Sequence, residues 1–140
     1  MTLLNREALL KKDKMKVERV DLEDGNFVFV CQMNGRDRDA FDQSLMIQKT
    51  NDKGETSFER NMNDFRARLA VHTICDENGV RLLQDEDAEV LSVNKSAAVL
   101  EKIVLTAQRL NKISDEDKTR MVKNSEGGEA DDSGSDSALN

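Results

Sequence analysis

The spacing of apolar residues divides the chain into short β-like runs and helical stripes. Met15 to Leu22 and Phe27 to Met33 are rich in Val and Phe, and Glu23-Asp24-Gly25-Asn26 separates them. An Asp-Gly step supplies the positive φ that a tight connection needs, so the two runs predict an antiparallel hairpin. Ahead of it, Asn5 to Lys12 predicts a short helix with Leu9 and Leu10 on one side. Asn34-Gly35 breaks the second run, and Arg36 to Lys49, carrying Phe41, Leu45 and Ile47 between charged residues, predicts a short helix with one buried side. Residues 50–57 contain no apolar anchor and predict an exposed loop. Phe65, Leu69 and His72 to Thr73 share a helical face, with Ala70, Val71 and Ile74 beside them, which predicts a well-buried helix. Asp76-Glu77-Asn78-Gly79 is a turn signal, and the weak alternation of Val80 to Leu83 predicts a short strand after it.

The last third is helical in pattern. Asp85-Glu86-Asp87-Ala88-Glu89-Val90-Leu91 is acidic and amphipathic. Asn94 or Ser96 then caps the strongest helix of the chain, in which Leu100, Ile103, Val104, Ala107, Leu110 and Ile113 recur at three- and four-residue spacing and form one apolar stripe. Ser114-Asp115-Glu116-Asp117 is a further cap, with acids where the helix dipole favours them, and predicts a short helix reaching Lys123. Beyond it the Gly, Ser and Asp content cannot bury enough apolar surface to offset the ordering entropy. The expectation is therefore an α+β protein: an N-terminal β-hairpin packed with a small set of amphipathic helices, one folded domain over residues 1–123, and a disordered acidic tail over 124–140.

Charge sharpens this picture. The formal net charge of the 140 residues is −7, but the tail holds Glu126, Glu129, Asp131, Asp132 and Asp136 with no Lys or Arg, so removing those five acids leaves −2 on the rest. The folded part is nearly balanced. It lacks Trp and Tyr, and its five Phe residues all fall between Phe27 and Phe65, so it offers neither the basic face nor the stacking groups that nucleic acid binding uses. The run Thr2-Leu3-Leu4 is interrupted at once by Asn5-Arg6-Glu7, and no apolar run approaches spanning length, so neither a signal peptide nor membrane insertion is expected. Cys31 and Cys75 stand 44 positions apart and read as two reduced, buried thiols in a cytoplasmic protein.

Candidate chemistry is sparse. His72, the only histidine, lies three residues before Cys75, a spacing that presents both on one helical face as half of a zinc site. The remaining ligands would have to come from Cys31 and a carboxylate, and no spacing supports them, so a partly buried structural histidine is expected instead. Asp85 with Glu86, and Asp37 with Asp39, are the obvious carboxylate pairs, but such pairs abound in a chain with 35% charged residues and read as solvated or capping groups. An EF-hand is excluded, because aligning Gly79 or Gly25 with the loop glycine puts Ile74 or Val20 where the first carboxylate must stand. With no Gly-rich phosphate loop either, the sequence predicts no enzyme: no catalytic, metal or cofactor-binding residues, and no cofactor.

The order of the segments resembles the phage tail assembly chaperones of long-tailed bacteriophages and prophages. Four pieces carry the resemblance: the hairpin leading to Arg36-Asp37-Arg38-Asp39-Ala40-Phe41; Phe65-Arg66-Ala67-Arg68-Leu69-Ala70 followed by Cys75-Asp76-Glu77-Asn78-Gly79; Asp85 to Leu91; and Ser96 to Glu101 with Arg109-Leu110-Asn111 and Ser114 to Asp117. Together they span about residues 3–125. What the resemblance implies is a non-enzymatic protein of the host bacterial cytoplasm, absent from the mature virion, that binds and solubilises the tape measure protein and promotes tail-tube polymerisation. It also implies self-association along that long client. The major tail protein is a further implied partner, through a frameshifted extended form whose slip site would fall at Val122-Lys123-Asn124. Within this reading the helix over 96–113 and the hairpin edge are the expected contact surfaces. A non-enzymatic phage structural or head-tail joining adaptor of similar size is the alternative. An acidic mimic of DNA fits less well, since it needs carboxylates on a rigid surface and the surplus here is confined to the tail.

Overall fold

A computed structural model describes residues 1–113; the expected short helix from Ser114 to Lys123 and the expected tail over 124–140 lie outside the described residues. Within them the fold is α+β. The elements run α1 (Arg6–Leu10), β1 (Val17–Asp21), β2 (Phe27–Cys31), α2 (Gly35–Ser44), β3 (Met46–Thr50), β4 (Thr56–Arg60), α3 (Phe65–Thr73), β5 (Ile74–Cys75), α4 (Asp87–Asn94) and α5 (Ala97–Leu110).

The expected first hairpin forms, with Val20 opposite Val28 and Asp21 opposite Phe27. Both Asp24 (φ 58) and Gly25 (φ 78) adopt the left-handed conformation that the Asp-Gly step allows. The Asn26 N–H reaches Glu23 O while Leu22 N–H reaches Asn26 O, so two residues face one and the turn closes as a bulge. β5 adds antiparallel to β2, giving the order β1-β2-β5, with β1 as the free edge. Pleating sends Val20, Val30 and Ile74 to one face, where they join Ile103, Val104, Ala107 and Leu110 of α5 and Leu69 and Ala70 of α3 in a single core. Phe41 and Leu45 at the end of α2, both fully buried, close that core from another side.

Three sequence expectations are corrected. The helix expected over 36–49 stops at Ser44, and Ile47 sits on β3, half-buried, instead of on a helical face. The loop expected over 50–57 is the tip of a second hairpin, with Met46 opposite Arg60 and Thr50 opposite Thr56. Its cause is turn chemistry: the Asn51 side chain accepts the N–H groups of Lys53 (2.9 Å) and Glu55 (3.0 Å), and Gly54 takes φ 80. Asp76 does the same for Asn78 (2.8 Å) and Val80 (3.0 Å), with Gly79 at φ 84, so the two turns are copies of one device. The strand expected over Val80 to Leu83 is reduced to a single bridge from Arg81 to Cys75, with Leu82 N–H donating to Ile74 O at 3.2 Å.

α5 is built as its sequence prescribes. Ser96 Oγ accepts the Val99 N–H at 3.1 Å, and the stripe Leu100, Ile103, Val104, Ala107 and Leu110 is buried throughout. The helix ends by a Schellman motif: Lys112 is left-handed (φ 57), Ile113 N–H returns to Gln108 O at 2.8 Å, and Ile113 is turned into the core. Asn111, at the C-cap, binds the sheet. Its Oδ1 accepts Met33 N–H at 2.6 Å, while its Nδ2 donates to Ala107 O at 2.9 Å and Cys31 O at 3.4 Å.

Candidate interaction surface

His72 belongs to the architecture. Its side chain is 2% exposed, its ring meets Phe41 edge-on at 5.7 Å between centroids, and Nε2 lies 3.4 Å from Asp85 Oδ1. Burial and the nearby Arg81 guanidinium push the imidazole pKa down, outweighing the pull of Asp85 and Asp37, so the ring is neutral at pH 7. Arg81 spans the same corner, donating from Nε to Val71 O (2.7 Å) and from Nη2 to Asp85 (2.6 Å). The bond from Arg81 is the main reason that the Asp85 carboxyl titrates below its usual range. The three side chains thus pin the 80–86 connection onto α3.

The other weighed pairs do not assemble either. Cys31 and Cys75 are free and buried on neighbouring strands, two residues out of register on one face. Burial raises both thiols, Cys75 to about 12, so they stay protonated at neutral pH. Asp37 receives no partner carboxylate from Asp39: both are exposed and two apart on α2, a spacing that aims them to different sides of a helix. Glu86 is exposed at the start of α4 while Asp85 is held by Arg81. Among the described residues no three His, Cys, Asp or Glu side chains gather where they could hold a metal ion. No helix among them is long and apolar enough to cross a membrane.

What the described surface does offer is apolar side chains outside the core. α1 carries no buried residue, although Asn5 Oδ1 caps it by accepting Ala8 N–H at 2.9 Å, and Leu3, Leu4, Leu9 and Leu10 all stand exposed. A second group lies on the outer face of the first hairpin, where Phe27 and Phe29 meet edge-on at 5.6 Å and the Arg19 guanidinium sits 3.8 Å over the Phe27 ring. Third, Phe58 and Met46 are exposed on one face of the β3–β4 hairpin. Fourth, α4 exposes Val90 and Val93 beside Glu86 and Glu89. Next to that face opens a cavity of about 340 Å³ between α3 and α4, bordered by Asp64, Asp85, Glu86 and Glu89, with Arg68 and His72 also lining it.

The stripe of the 96–113 helix, expected as a contact surface, is core; Leu105, off the stripe, is the large apolar residue that α5 exposes. Burying that face against the sheet gains more than displaying it, at roughly 25 cal/mol per Å² of apolar area. The hairpin edge fares otherwise. Gln32 N–H bonds Lys16 O and Leu22 N–H bonds Asn26 O, so by alternation the backbone groups of Val17, Arg19 and Asp21 face away from β2. The patches on α4 and Phe58 were missed in the sequence. For α4 the signal was present, since Glu86, Glu89, Val90 and Val93 recur at helical spacing. Comparison with protein-family models, with curated proteins and with solved structures finds no match to this chain.

Proposed function

We propose that this protein is a phage tail assembly chaperone of a long-tailed phage or prophage, working in the host bacterial cytoplasm and left out of the mature virion. It binds and solubilises the tape measure protein, and it promotes tail-tube polymerisation around that client. The reading rests on the segment order described above. The single structural observation that supports it best is the dispersed apolar surface, above all the four leucines of an arm with no buried residue. A long helical client exposes apolar stripes before it is packaged, and small amphipathic elements cover such stripes reversibly. The α5 stripe is therefore withdrawn as a working contact, the hairpin edge at β1 is kept, and the α1 arm is added.

Co-expression tests this directly. The tape measure protein of the same phage is expected to rise in soluble yield with the intact chain, and to fall back when Leu9→Asp and Leu10→Asp are introduced together. An unchanged yield with the intact chain refutes the function. An unchanged yield with the double variant refutes only the arm as contact. Detection of the protein in purified particles would replace this reading with the head-tail adaptor. An extended product sharing residues 1–123, sought by mass spectrometry, tests the proposed link to the major tail protein.

A further inference from the structure

The chain carries its charge unevenly. Residues 1–14 hold Arg6, Lys11, Lys12 and Lys14 against Glu7 and Asp13, a net +2 in a protein whose total is −7. Every residue from 1 to 14 is exposed, so this basic segment with its four leucines is not folded onto its own body. The opposite composition sits on α4. Four acids fall within Asp85 to Glu89, Val90 and Val93 are 58% and 79% exposed three residues apart, and the acid-bordered cavity opens beside them.

We propose that the N-terminal arm of one copy docks on the acidic, valine-bearing face of α4 of a second copy. Leucines of the arm cover Val90 and Val93, and its lysines and Arg6 face Glu86 and Glu89. Charge selects this occupant: a second copy supplies a segment that is both leucine-bearing and basic, which neither the acidic body nor a neutral apolar helix does. Because the arm and α4 are different surfaces, docking in one direction leaves a free arm at one end and a free acceptor face at the other and builds a chain of copies, whereas two copies that exchange arms close into a dimer. The open chain suits many small proteins laid along one long client, and the mass of the associated species in sedimentation separates the two. The inference deepens the self-association that the resemblance to tail assembly chaperones implies and rests on that expectation, not on client binding.

Purified full-length protein, with no client present, tests it by sedimentation velocity over a range of concentration and salt. Association is expected at low salt, weakening by roughly tenfold or more as salt is raised to about 0.5 M. The arm variant Arg6→Glu, Lys11→Glu, Lys12→Glu and the face variant Glu86→Lys, Glu89→Lys should each be monomeric alone, and their mixture should associate again. The arm variant alters no buried residue, so its melting temperature reports that the fold is kept. A wild-type protein that stays monomeric at low salt overturns the proposal. So does an arm variant that associates as well as wild type, or a mixture that fails to recover. Client solubilisation is read separately: wild-type protein that is monomeric at low salt yet rescues the tape measure protein would sink the docking and leave the function standing, and the face variant, whose arm is intact, is expected to rescue the client without self-associating.

Discussion

Replacing Asn111 with Ala probes the seam between α5 and the sheet. Asn111 Oδ1 accepts the N–H of Met33, a residue only 8% exposed, at 2.6 Å, and no other acceptor for that donor stands among the described hydrogen bonds. An unsatisfied buried donor costs about 1–3 kcal/mol. The lost bond to Ala107 O (2.9 Å) costs less, since that carbonyl still receives the Asn111 N–H at 3.0 Å, and the long bond to Cys31 O (3.4 Å) adds little. The expected loss is therefore about 2–3 kcal/mol, carried mainly by Met33. At roughly 4 °C per kcal/mol for a domain of this size, the melting temperature should fall by about 8–12 °C. Urea titration should show a lower midpoint with an unchanged slope, because the surface exposed on unfolding is the same. Lys102→Ala, exposed on the same helix, is the control and should stay within about 0.5 kcal/mol of wild type. If Asn111→Ala lowers the melting temperature no more than Lys102→Ala, the seam is not held by this amide and the account of how α5 is fixed fails.

Stability should fall in acid in two stages. The His72 pKa is lowered by burial, so the unfolded chain binds more protons than the folded one as pH drops below about 6.5; thermal melts should lose stability from there down to the lowered folded value, and His72→Gln should flatten that limb. Asp85, lowered chiefly by the Arg81 bond, contributes stability above the usual Asp value that is lost only as pH falls below it through the lower folded pKa, and Arg81→Gln, which removes the cause of the depression, should lower stability at neutral pH and abolish most of that second loss. Lys112 holds φ 57, a conformation that costs a side-chain-bearing residue about 1 kcal/mol, so Lys112→Gly is expected to raise stability by a few tenths to about 1 kcal/mol in urea titration; a loss would mean that the Lys112 side chain makes a contact worth more than the strain. Cys31 and Cys75 should resist a thiol-labelling reagent in native buffer and react on addition of denaturant, and rapid native labelling would refute their burial as protonated thiols.

Local chemistry alone determined the first hairpin, the α3 and α5 helices and the Ser96 cap. In each, one short signal agrees with the apolar period: Asp24-Gly25 for positive φ, Phe65 and Leu69 at helical spacing, a hydroxyl before a stripe. The second hairpin was equally local, for Asn51 and Gly54 repeat the turn of Asp76 and Gly79. It was misread because Met46 to Arg60 is exposed on nearly every position and shows no apolar alternation to mark the strands. Tertiary structure alone decided which apolar residues are spare. A stripe such as Leu100 to Leu110 looks the same in sequence whether it meets a sheet or a partner, and only the layering of α5 against Val20, Val30 and Ile74 makes it core. The arm leucines, Val90, Val93 and Phe58 stay exposed because no element of the described fold reaches them. The lowered pKa of His72 is likewise a product of packing, since its burial and its nearness to Arg81 and Asp85 arise only when the 80–86 connection folds back onto α3.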